Sequence, residues 1–491
     1  MITFAICLLI LLSGYLFYSR YLERLMEVDS NKTTPAVSMN DGIDFVPMPW
    51  WRVLLIQFLN IAGLGPIFGA IAGAMWGPVA FVWIVLGTVF GGAVHDYFSG
   101  MLSIRHNGLS ITEIIGIYLG KFSKQIMRTF IVLLLVLVGV VFISGPAGIL
   151  ASLTPQTLNF QFWIWFIFLY YILATLLPID KIIGKIYPLF GFALIFMALS
   201  LIIALIVKGY ALPELTVDNW HNFHYDKARF PIFPMLFITI ACGAISGFHS
   251  TQSPLMARCI MNEKEGRKVF YGAMVMEGIV ALIWAAISMS FFGGIGELGE
   301  VMQTQKGNAA WVVNEISNSL LGRFGAVLAL LGVVAAPITS GDTAFRSARL
   351  IVGDLFHFNQ KPIKNRLLIT LPMFTIGMIL TKINFDVIWR YFAWSNQTLA
   401  TVILWTITIY LFQNKKEYRI TLLPAMFMTA VVTTYILLAP EGFGLSRATS
   451  YITGIAVSIA SFACFLVYRR KYFFSSVGMA SDSVQHETVS K

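Results

Sequence analysis

The sequence predicts an all-α polytopic membrane protein of about thirteen spans, with two five-helix units of opposed topology, one helix before them and two after. Three observations carry that expectation: the composition, the alternation of basic loops, and two interrupted apolar helices five spans apart. Of 491 residues, 57% are hydrophobic and only 12% charged, for a mean hydropathy of +0.77. A soluble chain would keep polar faces on its helices, whereas here run after run lacks charge for about 18 residues or more. The formal net charge of +10 does not point to nucleic acid, because the basic residues sit in short clusters between apolar runs. Such clusters read as topology signals. Cys7, Cys242, Cys259 and Cys464 are spread singly, with no C-x-x-C. They are expected to pack as small apolar residues rather than to hold zinc or a disulfide.

Taken in order, the spans fall near residues 2–18, 51–76, 79–103, 126–150, 160–177, 187–207, 231–255, 269–292, 324–345, 367–381, 385–412, 419–438 and 450–468. The first lacks a basic n-region, and Arg20 and Arg24 follow it, so it reads as a retained span with its N-terminus outside. Thirteen spans from that start put 26 of the 34 Lys and Arg residues on the cytoplasmic side, 7 outside, and Arg390 within span 11. So strong a bias over short loops supports both count and orientation, with a cytoplasmic C-terminus. The expected organisation is residues 1–50 as span and cytoplasmic linker, 51–207 as the first five-helix repeat, 208–412 as the second, 413–468 as two further spans, and 469–491 as a polar tail expected to be disordered. In the outer loop after span 8, "NAAWVVNEISNSL" has the makings of a short helix lying on the membrane, either a lid or packing.

Span 2 contains "NIAGLGPIFGAIAGAMWGP", residues 60–78, with five glycines and two prolines. In hydrocarbon every backbone N–H and C=O needs a partner, so a helix broken by Gly and Pro persists only where protein, a water-filled cavity or a ligand takes over the freed groups. Gly63, Gly65 and Pro66 make the break; Gly69 and Gly73 more plausibly let a neighbouring helix approach. Span 7 repeats the pattern in "ITIACGAISGFHSTQSPLMARCI", where Gly243, Gly247 and Pro254 flank a polar run that includes His249, Ser250 and Gln252. Two interrupted helices in corresponding positions of oppositely oriented units are the signature of an inverted-repeat secondary transporter, with substrate near the midplane between the breaks. Half-helix N-termini there offer free N–H groups and a positive dipole end, which favours a carboxylate. Candidate substrate-binding residues are therefore Gln57, Asn60, Gly63 and Gly65 at the first break, and Ser246, His249, Ser250 and Gln252 at the second.

An ionisable group deep in a bilayer costs roughly 2.5 to 3.5 kcal/mol on insertion scales, so each one invites a functional reading. His95 and Asp96 in span 3 are adjacent and point about 100° apart on a helix, so they are expected not to face one ligand together. One accepts a proton while the other holds a neighbouring helix, or both reach the inner interface or pair with Arg105. In span 9, Asp342 lies four residues before Arg346, the spacing of a local ion pair. Thr339, Ser340 and Thr343 set hydroxyls beside the same Pro/Gly-weakened helix and, with carbonyls of the first broken helix, suit Na⁺. The alternative is that Asp342 or Asp96 carries a proton. Glu277, Asn396 and Gln397 complete the buried polar set, and Arg390 is expected to snorkel. Gly63, Gly65 and Gly69 do not make a dinucleotide fingerprint, since the spacing is wrong and no strand precedes them. An HD-type metal enzyme centred on His95 and Asp96 lacks a second ligand cluster, and no enzyme activity is expected.

The stretches "FLNIAGLGPIFGAIAGAMWGPVAFVWIVLGTVFGGAVHDYFSGMLSIRHNG", "SGFHSTQSPLMARC" and "ITSGDTAFRSARL" closely resemble the carbon starvation protein A family of bacterial inner-membrane transporters, in a short form. The resemblance runs from about residue 50 to residue 400 and implies the amino acid/polyamine/organocation superfamily, hence a five-plus-five, LeuT-like core. It also implies import of a small carboxylate, pyruvate with protons, or else peptide uptake, during carbon starvation. Longer members carry additional C-terminal spans. The resemblance places Asn60, Gly63, Gly65 and Pro66 at the first break and His249, Ser250 and Gln252 at the second. His95, Asp96 and Asp342 fall among the family's intramembrane polar positions, without assigned roles. The expected partners are the substrate and the lipid bilayer, with no cofactor beyond a coupling ion, H⁺ or alternatively Na⁺. A membrane sensor without transport is the rival from another class, and no oligomeric state follows.

Overall fold

The computed structural model describes residues 1–42, 44–176, 179–305, 307–356, 358 and 362–489. Their regular structure is helical, apart from two isolated bridges, Thr33 to Asn262 and Met48 to Ile260, which pair the first linker with the chain beyond residue 257. The principal helices are α1 (Ile2–Leu25), α2 (Trp50–Ile61), α3 (Gly65–Trp76), α4 (Val79–Arg105) and α5 (Ile111–Leu153). They continue as α6 (Phe160–Leu176), α7 (Ile179–Val207), α8 (Phe248–Ala257), α9 (Arg267–Phe291) and α10 (Ala309–Ala329). The last five are α11 (Ala336–Leu355), α12 (Ile363–Leu380), α13 (Phe385–Gln413), α14 (Arg419–Leu438) and α15 (Arg447–Val489).

Among the described residues nine helices are long and apolar enough to cross a membrane, or ten when α2 and α3 count as one span bent by 54°. Three of the thirteen expected spans fall outside that set, each where continuous apolar length runs out. The fifth, α6, has only 17 residues, and its expected end at residue 177 lies outside the described residues. The seventh is cut in pieces by its break, and the eleventh, α13, is 29 residues long but diluted by Asp386, Arg390, Asn396 and Gln397. α5, at 43 residues, exceeds the roughly 20 that cross a bilayer; Gly120, at φ 90°, turns the chain inside it, so the span is the part that follows.

The stretch expected to form a short helix opens α10, where the Asn308 side chain accepts from the Trp311 N–H at 3.1 Å. Val312, Val313, Ile316 and Leu320 are buried, so this helix packs against protein before Gly322 bends it. The polar tail begins inside α15, whose helical trace continues to Val489; residues 490 and 491 lie outside the described residues. The core is continuous and rich in large rings, with Trp76, Tyr97, Phe142, Phe248 and Trp284 all buried.

A part-buried ion pair ties three segments together. Arg105 at the end of α4 reaches Glu263 at 2.8 Å and the Met26 carbonyl at 2.6 Å, while Glu263 also accepts from the Asp29 N–H at 2.9 Å. Arg105 is thus the partner of Glu263, not of His95 or Asp96.

Candidate functional site: two crossed breaks

The first break is short. α2 ends at Ile61, residues 62–64 leave the helix, and α3 restarts at Gly65 as a π-turn containing Pro66. The second is longer: helical turns at Ile232–Leu236 and Phe237–Thr239 stop at Ile240, and α8 begins only at Phe248. The two breaks cross in contact. A Cβ on Gly65 would stand 2.1 Å from the Cys242 Cβ and 2.5 Å from its Sγ, so only glycine fits. Gly243 adopts φ +92°, a left-handed conformation that lets the unwound chain turn. Gly92 and Gly247 permit equally close approaches, a Cβ there falling 2.3 Å from the Ala244 carbonyl oxygen and 2.4 Å from that of Asn396. Further along, Gly69 lies against the Thr239 carbonyl and Gly73 against the Ile240 side chain, as small residues at a helix contact do.

The backbone groups freed at the second break have named partners. Trp83 donates its indole N–H to the Ile240 carbonyl at 3.0 Å, and Thr88 its hydroxyl to the Gly243 carbonyl at 2.9 Å. Asn396 serves twice: its carbonyl accepts from Gly247 N–H at 3.0 Å and its side-chain oxygen from Phe248 N–H at 2.6 Å. Gln397 donates to the Phe237 carbonyl. Asn396 and Gln397 thus satisfy backbone.

The first break is less complete. Ser340 of α11 donates to the Leu59 carbonyl at 2.9 Å, joining a span-9 hydroxyl to the first broken helix. Both polar atoms of the buried Gln57 side chain, and Oδ1 of Asn60, have no hydrogen-bond partner. From α8, Gln252 donates to Thr251 at 2.9 Å while its Oε1 is unpaired, and Ser250 donates to the Gly247 carbonyl at 2.6 Å. Ser246 lies 3.6 Å from the Cys242 sulfur. Since α8 packs against α2, these amides lie on facing elements.

Around the second break the ionisable groups form one chain. His95 Nδ1 lies 2.7 Å from Asp96 Oδ1, Asp96 Oδ2 lies 2.8 Å from His249 Nδ1, and His249 Nε2 lies 3.4 Å from Glu277 Oε2. All four are fully buried. His95 and Asp96 touch each other, because Asp96 bridges two imidazoles with its two oxygens. Glu277 on α9, given no role from sequence, closes the chain, and Cys242, expected to be packing alone, lies beside it.

On α11 the hydroxyls of Thr339 and Thr343 bond to carbonyls of their own helix, Ala336 at 2.6 Å and Ser340 at 2.8 Å. Asp342 and Arg346 are paired at 3.5 Å, the local i, i+4 arrangement. Arg390 does not simply snorkel: it pairs with Glu441 at 3.0 Å.

A cavity of about 190 Å³, lined in part by Phe68, Trp76, His224, Thr239 and Trp389, opens on the face expected to be external. A second, of about 390 Å³, shares Phe68, Phe385 and Asp386 with it. Gln57, Asn60, Asp96, His249 and Glu277 are at most 1% exposed, so the site is closed and access requires movement.

The family model described as Carbon starvation protein CstA matches residues 1–158 and 149–322. An "Uncharacterized membrane protein" of Haemophilus influenzae is 42% identical over 339 residues, covering 60% of this chain and 91% of its own. "Peptide transporter CstA" of Helicobacter pylori (strain J99) is 27% identical, covering 85% of this chain and 79% of its own. "Pyruvate/proton symporter BtsT" of Escherichia coli is 29% identical, with 55% of this chain matched to 46% of that protein. Among solved structures, a mutant manganese transporter of Eremococcus coleocola covers 89% of this chain and 99% of its own, with TM-score 0.51 and 14% identity, a likeness of fold alone. The functionally named relatives and the structural neighbour are transporters, not enzymes.

Proposed function

We propose that this chain, which belongs to the carbon starvation protein CstA family, imports a small carboxylate by secondary active transport, with pyruvate the first choice and protons the coupling ion. The observation that carries the reading is the pair of broken helices in direct contact, five expected spans apart, with both polar atoms of the Gln57 side chain and Oδ1 of Asn60 unpartnered at the first break. On this reading the chain is an inverted-repeat transporter of the bacterial inner membrane with a five-plus-five core, thirteen spans once the short, broken and polar helices are counted, its N-terminus outside, working during carbon starvation. The N–H groups of Gly63 and Leu64, with Gln57 and Asn60, hold the carboxylate from one side, the Ala62 N–H being spent on the Phe58 carbonyl. Ser246, Ser250 and Gln252 complete it from the other, and His249, fixed by Asp96, orders that half of the site.

Asp342 carries the proton. It lies on α11 two residues beyond Ser340, whose bond to the Leu59 carbonyl ties this helix to the first break. A charge change at Asp342 is thereby transmitted to the substrate side, and the Arg346 partner holds the ionised form until a proton arrives. The likeness to the Escherichia coli pyruvate/proton symporter supports this choice. A small-peptide substrate is the second reading, favoured by the relatives named peptide transporters. Sodium coupling through Thr339, Ser340 and Thr343 is the third, favoured by the Ser340–Leu59 contact.

Purified protein in liposomes, supplied with labelled pyruvate or a labelled dipeptide under a pH gradient and then a sodium gradient, separates these readings. Pyruvate uptake driven by the pH gradient and reduced by Asn60→Ala is expected. Uptake of the dipeptide alone overturns the substrate, drive by sodium alone overturns the coupling ion, and uptake of neither restores the sensor reading.

A further inference from the structure

The buried cluster at the second break has more ligand chemistry than a carboxylate transporter requires. Cys242, His249 and Glu277 each present one donor atom, and these atoms lie within 4.8 Å of one another in a fully closed environment. The three come from three places: the unwound segment, the first turn of α8 and the middle of α9. His249 Nε2 and Glu277 Oε2 touch only each other, at 3.4 Å, and neither that nitrogen nor either oxygen of Glu277 has a hydrogen bond, although burying such groups without one is costly. We propose that Cys242, His249 and Glu277 bind one borderline-soft divalent transition-metal ion, of the class of Zn²⁺, Co²⁺ or Fe²⁺.

The surroundings fit that assignment atom by atom. Asp96 Oδ2 sits 2.8 Å from His249 Nδ1, so in the neutral imidazole the proton is held on Nδ1 and the Nε2 lone pair is directed into the cluster. A carboxylate behind a ligating histidine is the common way to fix the tautomer and raise its basicity. The Asn396 amide donates to the Cys242 sulfur at 3.5 Å, which stabilises a thiolate. A thiolate, a carboxylate and a neutral imidazole together carry two negative charges, which a divalent ion cancels inside a low-dielectric segment. Sulfur and nitrogen donors select against Na⁺, Mg²⁺ and Ca²⁺ and for borderline-soft ions. Ligand atoms about one tetrahedral ion stand roughly 3.3 to 3.8 Å apart for bonds of about 2.0–2.3 Å, so side-chain adjustment alone contracts the cluster. Three protein ligands leave a fourth position open. The assignment rests on this cluster alone and holds for any substrate or coupling ion.

The test is titration of the purified full chain with Co²⁺ alone, read by absorption. One ion per chain is expected, with a thiolate-to-cobalt charge-transfer band in the near ultraviolet and tetrahedral ligand-field bands in the visible. Cys242→Ser removes the charge-transfer band, and Asp96→Asn weakens binding by about 10–100-fold without removing it. Wild-type protein that elutes as a monodisperse species yet binds no Co²⁺, or a charge-transfer band that survives Cys242→Ser, overturns the assignment. In the first case the cluster is a His249–Glu277 ion pair. The same preparation measured for uptake keeps the two readings apart: transport without Co²⁺ binding refutes only the metal site, and Co²⁺ binding without transport refutes only the transport reading.

Discussion

Replacing Gly65 by alanine adds a single methyl group, but it arrives where two broken helices already touch. The new Cβ would stand 2.1 Å from the Cys242 Cβ, against an ordinary contact of 3.4 Å, so the backbones must separate by about 1.3 Å. Neither side yields readily. Pro66 restricts the first break, and the second is pinned by Trp83 on Ile240, Thr88 on Gly243 and Asn396 on Gly247 and Phe248. Overpacking of this kind costs about 1–3 kcal/mol, and here the displacement falls on the site itself. Uptake by Gly65→Ala in liposomes should drop at least tenfold, with a lowered melting temperature in detergent. Gly73→Ala meets the Ile240 side chain, which rotates away, so it should lose stability or assembly while keeping substrate affinity. A second substitution, Cys242→Gly, removes the colliding atom and should recover much of the stability lost in Gly65→Ala, a coupling that a double-mutant cycle measures. Wild-type uptake by Gly65→Ala, or no coupling to Cys242→Gly, would falsify the crossed-break geometry.

Three further outcomes follow from particular contacts. Asn396→Ala strips the partner from the Phe248 N–H, and leaving a buried donor unpaired costs about 1–3 kcal/mol, measurable as a lower melting temperature together with slower uptake. Glu263→Gln leaves the buried end of Arg105 without its countercharge, at about 3–5 kcal/mol; equal melting temperatures for variant and wild type would refute the pairing. His224, buried against Trp76 and Phe230 in the loop after α7, has its imidazole pushed down by burial from 6.5 to about 4, and its Nδ1 accepts from the Asp226 N–H. Because the folded value lies below the unfolded one, its contribution is complete above about pH 6.5 and drains away as pH falls toward about 4. Hydrogen exchange of residues 220–231 should therefore accelerate over that window, and His224→Phe should flatten the response.

The chain's membrane character and both breaks were legible because each is local: apolar runs announce spans, and "GLGP" or "ACGAISG" cannot continue a helix. What takes over the freed backbone was not legible. Trp83, Thr88 and Asn396 lie about 150 residues from the carbonyls and N–H groups they serve, and no periodicity links them. The same distance hid the Asp96–His249 contact, so Arg105 was a reasonable partner from sequence and the wrong one. Helix angles say only that His95 and Asp96 face different ways; that Asp96 links His95 to His249 follows from its two oxygens, one reaching sideways and one outward. Cys242 was read as packing because a lone cysteine is usually that; only the fold shows it beside His249 and Glu277. Apolar length alone does not recover the whole set of expected spans, since α6 is too short and α13 too polar to count by composition.

The segment from Ile240 to Gly247 rests against bare main chain at Gly65 and Gly92, and its own Gly247 lies against the main chain of Asn396. Main-chain surfaces have no rotamers to unlock, so what resists displacement of this segment is its hydrogen bonds to Trp83, Thr88 and Asn396 rather than interlocked side chains. The same smoothness leaves the segment without a shock absorber. A methyl group at any of these glycines acts as a wedge, and an alanine scan of them would draw the outline of the moving part directly on the sequence.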